Sequence, residues 1–287
     1  MKAKIFVTFF VLFSLSYGYS QDKVIPGKKL NTLVEKAYQT IEPTGLAVAV
    51  VKNDEIRTFA YGKRNSETGT DVTPHSIFNI ASCTKAFTAV CVSILVQEGK
   101  IAWDDKVTDY IPEFRLIDPY ITAEMNITDL LSHRSGLTTF MGDLLWYHTD
   151  YSNMEVIRRM QYLPVENDFR EDYGYQNNMY MIAGEIIERV TGKTWSEYLE
   201  EKIFKPLAMK KTLPSNDEIM EGMEIAEPHL DGQPVQLYDF NATKPAASIH
   251  SNVADLSKWV QMLLNNGEFQ GNQILPENTL DPVFSAH

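Results

Sequence analysis

Residues 82–98 constrain the fold of this chain more than any other segment, because they form a helical pattern without a polar face. The stretch contains no glycine or proline, and Gly99 follows it, where the residue after a helix C-terminus is expected. Its apolar members lie on nearly every side of the helix: Ala86, Phe87, Ala89, Val90, Val92, Ile94, Leu95 and Val96. A helix that is apolar all round belongs in the middle of a domain, so we expect residues 82–98 to form the central helix.

Ser82 and Lys85 stand at the start of this helix with the spacing Ser-x-x-Lys. Residues three apart share a helix face, so the ammonium can reach the hydroxyl. A serine hydroxyl is a weak nucleophile unless a base takes its proton, and a lysine can serve when burial and the positive helix N-terminus lower its pKa. The alternative is a capped helix with a solvated lysine, since Ser20 and Lys23 match the same short motif. The apolar surroundings favour a buried Lys85.

Tyr175 and Asn177 form a second candidate pair, just ahead of a helix predicted over 178–191. Two residues apart on an extended loop, their side chains point to the same side. The phenol could relay a proton, and the amide could position Lys85 or a substrate carbonyl. The alternative is an ordinary aromatic loop preceding a helix.

Residues 46–51 and 56–62 predict a β-hairpin, because two apolar runs flank a polar turn. The first run is continuously apolar, which predicts a strand buried on both faces. Other helices are expected over 127–131, 154–162, 195–203 and 253–264, the last capped by Ser251 or Asn252. Residues from about 100 to 205 carry little strand pattern, and no internal repeat is present.

The charge balance argues against nucleic acid as a partner. The 287 residues contain 26 Lys and Arg against 38 Asp and Glu, a formal net charge of −12. The 6 histidines show no paired metal-ligand spacing. The two cysteines, Cys83 and Cys91, exclude a disulfide-framed scaffold and a four-thiolate metal site. Eight residues of helix rise by about 12 Å, too far for a disulfide, so we expect both to be small buried residues.

Residues 1–20 have the pattern of a secretory signal peptide. Two lysines precede an apolar run over 5–15, and small residues occupy the −3 and −1 positions of a cut after Ser20. The run is too short to span a bilayer, and a retained membrane anchor is the alternative. No later stretch is apolar enough to cross a membrane. We therefore expect a secreted or periplasmic protein whose domain comprises residues 21–287.

Six short segments of this sequence follow one another in the same order as the motifs of a known superfamily. They are residues 78–88 (Phe-Asn-Ile-Ala-Ser-Cys-Thr-Lys-Ala-Phe-Thr), 130–137 (Leu-Leu-Ser-His-Arg-Ser-Gly-Leu), 175–177 (Tyr-Gln-Asn), 183–193, 203–209 and 251–259. Together they resemble the serine β-lactamase and penicillin-binding-protein superfamily, specifically its class C β-lactamase-related branch with D-alanyl-D-alanine carboxypeptidases and esterases. The resemblance runs from about Thr44 to Gly267. It implies an α/β (α+β) fold with an antiparallel sheet flanked by helices and a mostly helical subdomain at about 100–205.

The resemblance also implies a mechanism. Ser82 would attack an amide, β-lactam or ester carbonyl to form an acyl-enzyme, and Lys85 and Tyr175 would pass its proton to the leaving group. Asn177 would hold the acyl amide and Lys85, and the Ser82 backbone N–H would supply one oxyanion donor. Neither a metal nor an organic cofactor is implied, and the expected substrate is a small molecule or a peptidoglycan-like peptide. The alternative function is a catalytically silent, penicillin-binding-like binding or scaffolding homologue. Nothing in the sequence specifies an oligomeric state.

One motif of the superfamily has no counterpart in this sequence. The third motif, Lys-Thr-Gly or His-x-Gly on a strand, is not matched by residues 211–213 (Lys-Thr-Leu). Residues 250–252 (His-Ser-Asn) are expected to cap a helix rather than to form an edge strand. We therefore expect the chain to stop before this motif, so that strands pairing with the N-terminal hairpin would follow His287. On that expectation the chain alone is weakly active or inactive.

Overall fold

A small antiparallel sheet lies against a larger helical body in the computed structural model, which describes residues 27–287. The predicted signal peptide and its cleavage point lie outside the described residues. The helices are α1 (Gly27–Ile41), α2 (Thr84–Gln97), α3 (Val107–Tyr110), α4 (Pro119–Glu124), α5 (Ile127–Ser132), α6 (Asn153–Arg159), α7 (Asn178–Thr191), α8 (Trp195–Leu199), α9 (Lys244–Ala247) and α10 (Val253–Leu264). The strands are β1 (Gly45–Lys52), β2 (Glu55–Asn65), β3 (Thr70–Asp71), β4 (Phe78–Asn79), β5 (His229–Leu230), β6 (Gln233–Pro234), β7 (His250–Ser251), β8 (Glu268–Phe269) and β9 (Asn272–Gln273).

The predicted hairpin is present as β1 and β2, which pair antiparallel from Gly45 opposite Gly62 to Lys52 opposite Glu55. β3 pairs with the other edge of β2. The prediction that the first strand is buried on both faces is wrong, because all eight residues of β1 are only half-buried. Within residues 27–287, β1 pairs with β2 alone, so no strand covers its other edge.

The helix α2 occupies the centre of the hydrophobic core, as its apolar pattern predicts. Ten of its residues are buried, and α7, α8 and α9 pack against it. Phe87 stacks on Trp259 of α10, with ring centroids 4.1 Å apart, and meets the edge of Phe204. The predicted helix differs in its first turn, since residues Ala81–Cys83 form a 3-10 turn before α2 begins.

Helix ends follow the local signals in the sequence. Gly192 takes the left-handed conformation after α7 (φ 70°), and the Asn252 side chain caps α10 by accepting the backbone N–H of Asp255. The helix predicted over 195–203 is interrupted, because α8 gives way to a π-helical turn over Glu200–Phe204. Helices α3 to α8 lie in the subdomain predicted as helical, where the structure places none of the named strands.

Several elements were not predicted from the sequence, among them α1 and β7. The helix α1 buries only Leu30 and Val34, although its apolar residues recur at helical spacing (Leu30, Leu33, Val34, Ala37 and Ile41). His250 and Ser251 form the short strand β7, paired antiparallel with β4. The expectation of a cap without a strand is therefore correct only for Asn252.

A further expectation concerns the two cysteines. The cysteines are both free, but only Cys91 is buried, so the prediction of a buried Cys83 is wrong because it lies on the exposed 3-10 turn. None of the helices among residues 27–287 is both long and apolar enough to cross a membrane.

Candidate active site

Ser82 lies on the 3-10 turn that joins β4 to the central helix, and its side chain is exposed. The preceding residue, Ala81, has a positive φ of 45°, and its backbone N–H donates to Oδ1 of Asn79 at 2.9 Å. A left-handed conformation in a residue with a Cβ stores strain, and such residues concentrate at functional sites. β4, which pairs with β7, thus leads directly into a tight, locally strained turn that carries Ser82.

Lys85 is buried in the first turn of α2, with only 6% of its surface exposed. Its Nζ donates to Ser82 Oγ at 3.2 Å, to Asn177 Oδ1 at 2.7 Å and to the backbone oxygen of Ala246 at 3.0 Å. The three donors of an ammonium are thus all satisfied. The alternative prediction of a solvated lysine is therefore wrong, because Lys85 is buried.

Burial lowers the pKa of Lys85 from 10.5 to about 8, and the negative charge of Asp143 opposes that shift. At pH 7 a group with such a pKa is neutral in about one molecule in ten. Lys85 can therefore exist as a free amine near neutral pH and can still readily accept a proton.

Tyr175 contacts Ser82 from the opposite side of the site. Its hydroxyl donates to Ser82 Oγ at 2.6 Å, and Lys85 Nζ lies 4.7 Å from the centre of its ring. Burial raises the pKa of Tyr175, so the phenol is protonated at neutral pH. Ser82 Oγ therefore accepts one hydrogen bond from a protonated phenol, Tyr175, and one from a buried amine, Lys85.

Asn177 connects Lys85 to a carboxylate. Its Oδ1 accepts from Lys85, and its Nδ2 donates to Asp143 Oδ2 at 2.8 Å. Tyr175 and Asn177 thus both reach the serine–lysine pair, as their spacing on the loop predicts. The structure brings all four predicted residues together, although 90 or more positions separate the two motifs.

Three residues of the site were not assigned a role from the sequence. Ala246 supplies a backbone oxygen, which no side-chain motif could reveal. His133 accepts the Gln176 backbone N–H at Nδ1 (3.1 Å), and its ring lies 4.5 Å from that of Tyr175. Burial, helped by the charge of Lys85, lowers the pKa of His133 to about 4, so the ring is neutral at pH 7. The third is Asp143; its segment was not among the motifs that carried the resemblance.

Metal-ligating side chains do not gather around Ser82. Among residues 27–287, His, Cys, Asp and Glu form no group of three that could hold a metal ion. The chemistry that the described site itself offers is proton transfer at a serine hydroxyl, by an amine of lowered pKa and a phenol of raised pKa.

The chain is similar to known proteins over most of its length. A family model described as Beta-lactamase matches residues 30–281. The unguisins hydrolase ungD' of Aspergillus campestris (strain IBT 28561) is 33% identical over 236 residues, which cover 77% of this chain and 44% of that protein. The chain spans about half the length of the curated relatives it matches.

Two solved structures superpose on most of this chain. The octameric penicillin-binding protein homologue from Pyrococcus abyssi has a TM-score of 0.75 and 25% identity, covering 90% of this chain and 59% of its own. The D-amino acid amidase from Ochrobactrum anthropi SV3 has a TM-score of 0.70 and 26% identity, covering 85% of this chain and 71% of its own.

Proposed function

Because the chain belongs to the Beta-lactamase family and has its fold, we propose that it is a serine hydrolase that forms an acyl-enzyme on Ser82. The predicted superfamily and fold class are confirmed, and the class C branch stays a prediction. One observation carries the proposal: Ser82 Oγ accepts hydrogen bonds from both the Tyr175 hydroxyl and the Lys85 Nζ. The bond to be hydrolysed is an amide, a β-lactam or an ester.

Lys85 is the base that we assign to Ser82. The oxygens of Asn177 and Ala246 can accept hydrogen bonds from Lys85 but have no proton to give it. When Lys85 is neutral, these two acceptors hold its two N–H groups and leave its lone pair directed at Ser82 Oγ. The hydroxyl proton then moves to Lys85 as the bond from Oγ to the carbonyl carbon forms.

Tyr175 is the acid that we assign to the leaving group. As the acyl bond to the departing nitrogen or oxygen breaks, the phenol proton moves to that atom, and the Lys85 ammonium returns a proton to Tyr175. Hydrolysis of the acyl-enzyme follows when water attacks the carbonyl. Lys85, neutral again, takes a proton from this water and passes it to Ser82 Oγ as the bond from Oγ to the acyl carbon breaks.

We propose an amide or peptide-like substrate, either a small molecule or a peptidoglycan-like peptide. The names of the relatives support this class, since they include an amidase for D-amino acids, a penicillin-binding protein homologue and a hydrolase named for unguisins. An apolar residue beside the site, Phe140, is 57% exposed, with its ring 5.4 Å from that of Tyr175. It offers a surface for an apolar part of the substrate.

Covalent labelling tests the nucleophile directly. A fluorophosphonate or fluorescent penicillin is expected to label the wild-type protein, and Ser82→Ala is expected to abolish the label. Cys83→Ala is the matched control, because Cys83 is an exposed neighbouring nucleophile and this variant should label normally. Label that persists in S82A would contradict the assignment. Labelling without turnover of a nitrophenyl ester would instead favour the silent binding homologue.

We further propose that the protein is exported, on the basis of the signal-peptide pattern in residues 1–20. Expression of the chain in a bacterial host with a periplasm, followed by N-terminal sequencing, is expected to give Gln21 as the first residue. A first residue at Met1 in the recovered protein would contradict export.

A further inference from the structure

Asp143 lies beside the site without contacting Ser82. It begins the 3-10 turn Asp143–Leu145 and is half-buried. Its Oδ2 accepts from Asn177 Nδ2 at 2.8 Å, and its Oδ1 accepts from Trp146 Nε1 at 3.3 Å. Both carboxylate oxygens therefore have a donor, one of which is the amide that holds Lys85.

The direction of the Asn177 amide is set by the groups at its two ends. A carboxylate can only accept hydrogen bonds, and an ammonium can only donate them. With Asp143 at one end, the amide must present Nδ2 there, and so it must present Oδ1 to Lys85. A flipped amide would place an N–H group against the ammonium and an oxygen against the carboxylate, losing both bonds.

We propose that Asp143 is a positioning residue that fixes the orientation of the Asn177 amide and, through it, the position and charge of Lys85. This inference deepens the proposed function and rests on it for its catalytic consequence. The positioning itself depends only on the hydrogen bonds that link Asp143 to Asn177 and Asn177 to Lys85.

The backbone around Asp143 is built to keep it in place. Gly142 has φ 86°, a left-handed conformation that residues with a Cβ rarely adopt, so a larger residue there would strain the turn. The Asp143 N–H donates to the Phe140 oxygen at 3.1 Å, and the Phe140 N–H donates to the Tyr175 oxygen at 2.9 Å. The turn is thus tied to the loop that carries the other half of the site.

Asp143 also supplies the negative charge that acts on Lys85. The other titratable groups facing Lys85 are His133, whose pKa is lowered to about 4, and Tyr175 and Tyr180, whose pKa values are raised by burial. All three are neutral at pH 7. Replacing Asp143 by a neutral isostere is therefore expected to lower the pKa of Lys85 further, because the opposing attraction is lost.

The test is a direct titration of Lys85 in the full chain. With lysine carbon-13 labelled at Cε, the resonance of Lys85 is assigned by its loss in K85R and followed with pH by NMR. The wild-type midpoint is expected near 8. In Asp143→Asn it should fall by about one pH unit, and in Asp143→Glu, which keeps the charge, it should stay closer to the wild type.

The matched control is Asp129→Asn, which removes a buried carboxylate that pairs with Arg170 at 2.8 Å. It should leave the Lys85 midpoint unchanged. Nitrophenyl ester turnover gives the catalytic readout, measured above about pH 9, where Lys85 is neutral in both proteins. There kcat of D143N should fall by about 10- to 100-fold with little change in KM, because a hydrogen bond to a charged group is lost.

A Lys85 midpoint that is the same in D143N and wild type would overturn the inference, as would an equal fall in D129N. The outcome remains distinct from failure of the proposed function. If Ser82 takes no label in the wild type, the hydrolase proposal fails, and the Lys85 midpoint still decides whether Asp143 acts as proposed.

Discussion

The burial of Lys85 predicts that the site lowers the stability of the fold below about pH 8. The pKa of this group is lowered from 10.5 to about 8 in the folded protein. Below pH 8 the lysine is charged in both states, and folding carries the full cost of burying the charge. Between pH 8 and 10.5 the folded protein loses the proton first, so the cost is relieved as pH rises.

The size of this effect follows from the two pKa values. Their separation corresponds to about 3 kcal/mol, at 1.36 kcal/mol for each unit. Lys85→Met removes the titrating group. The wild-type free energy of unfolding, minus that of K85M, should therefore rise by about 3 kcal/mol between pH 7 and pH 11. The absolute difference at pH 7 also contains the bonds lost by Asn177 and Ala246, so only its change with pH is diagnostic.

Urea denaturation followed by circular dichroism at intervals from pH 7 to pH 11 measures this difference. Other ionisable groups are common to both proteins and cancel from it. Lys210→Met serves as the control, because Lys210 is exposed and its loss relieves no burial. Wild-type and K85M curves that run parallel across this range would refute the reasoning, since they would mean that Lys85 binds its proton equally in both states.

Two further predictions concern rate and packing. The rate constant for acylation of Ser82 should rise about tenfold per pH unit below pH 8 and level off above it, because only neutral Lys85 accepts the proton. A stopped-flow profile that is flat from pH 5 to pH 8 would contradict this. Phe87→Ala should lower the free energy of unfolding by about 3–5 kcal/mol, because it removes a fully buried ring stacked on Trp259. Val260→Ala, a change at a more exposed position on the same helix as Trp259, should cost far less by the same urea assay.

Local rules in the sequence were enough to place the principal helices. The bounds of α7 and α10 agree with those predicted, because a helix of more than ten residues repeats its apolar pattern several times and ends in a recognisable cap. The spacing of Ser82 and Lys85 likewise predicted that their side chains meet, which they do although Ser82 lies on the 3-10 turn ahead of α2. The helix α1 was not predicted, although its apolar residues recur at helical spacing over 30–41.

Burial at single positions was harder to anticipate. Cys83 is exposed although it borders an apolar helix, because it lies on the 3-10 turn rather than in α2. The sequence indicates only a helix cap at residues 250–252, because a two-residue strand such as β7 has no pattern of its own and forms through its pairing with β4. A strand this short forms only where the fold holds a partner strand beside it.

The sequence by itself determined the central helix, the identity of the four candidate residues and the order of motifs that indicates the family. Only the tertiary structure decided that they meet. Tyr175 reaches Ser82 across 93 positions and Lys85 reaches Ala246 across 161, distances in the chain over which no local rule operates. The lowered pKa of Lys85 and the contact of Asp143 with Asn177 arise in the same way, since desolvation and charge depend on which segments the fold packs together.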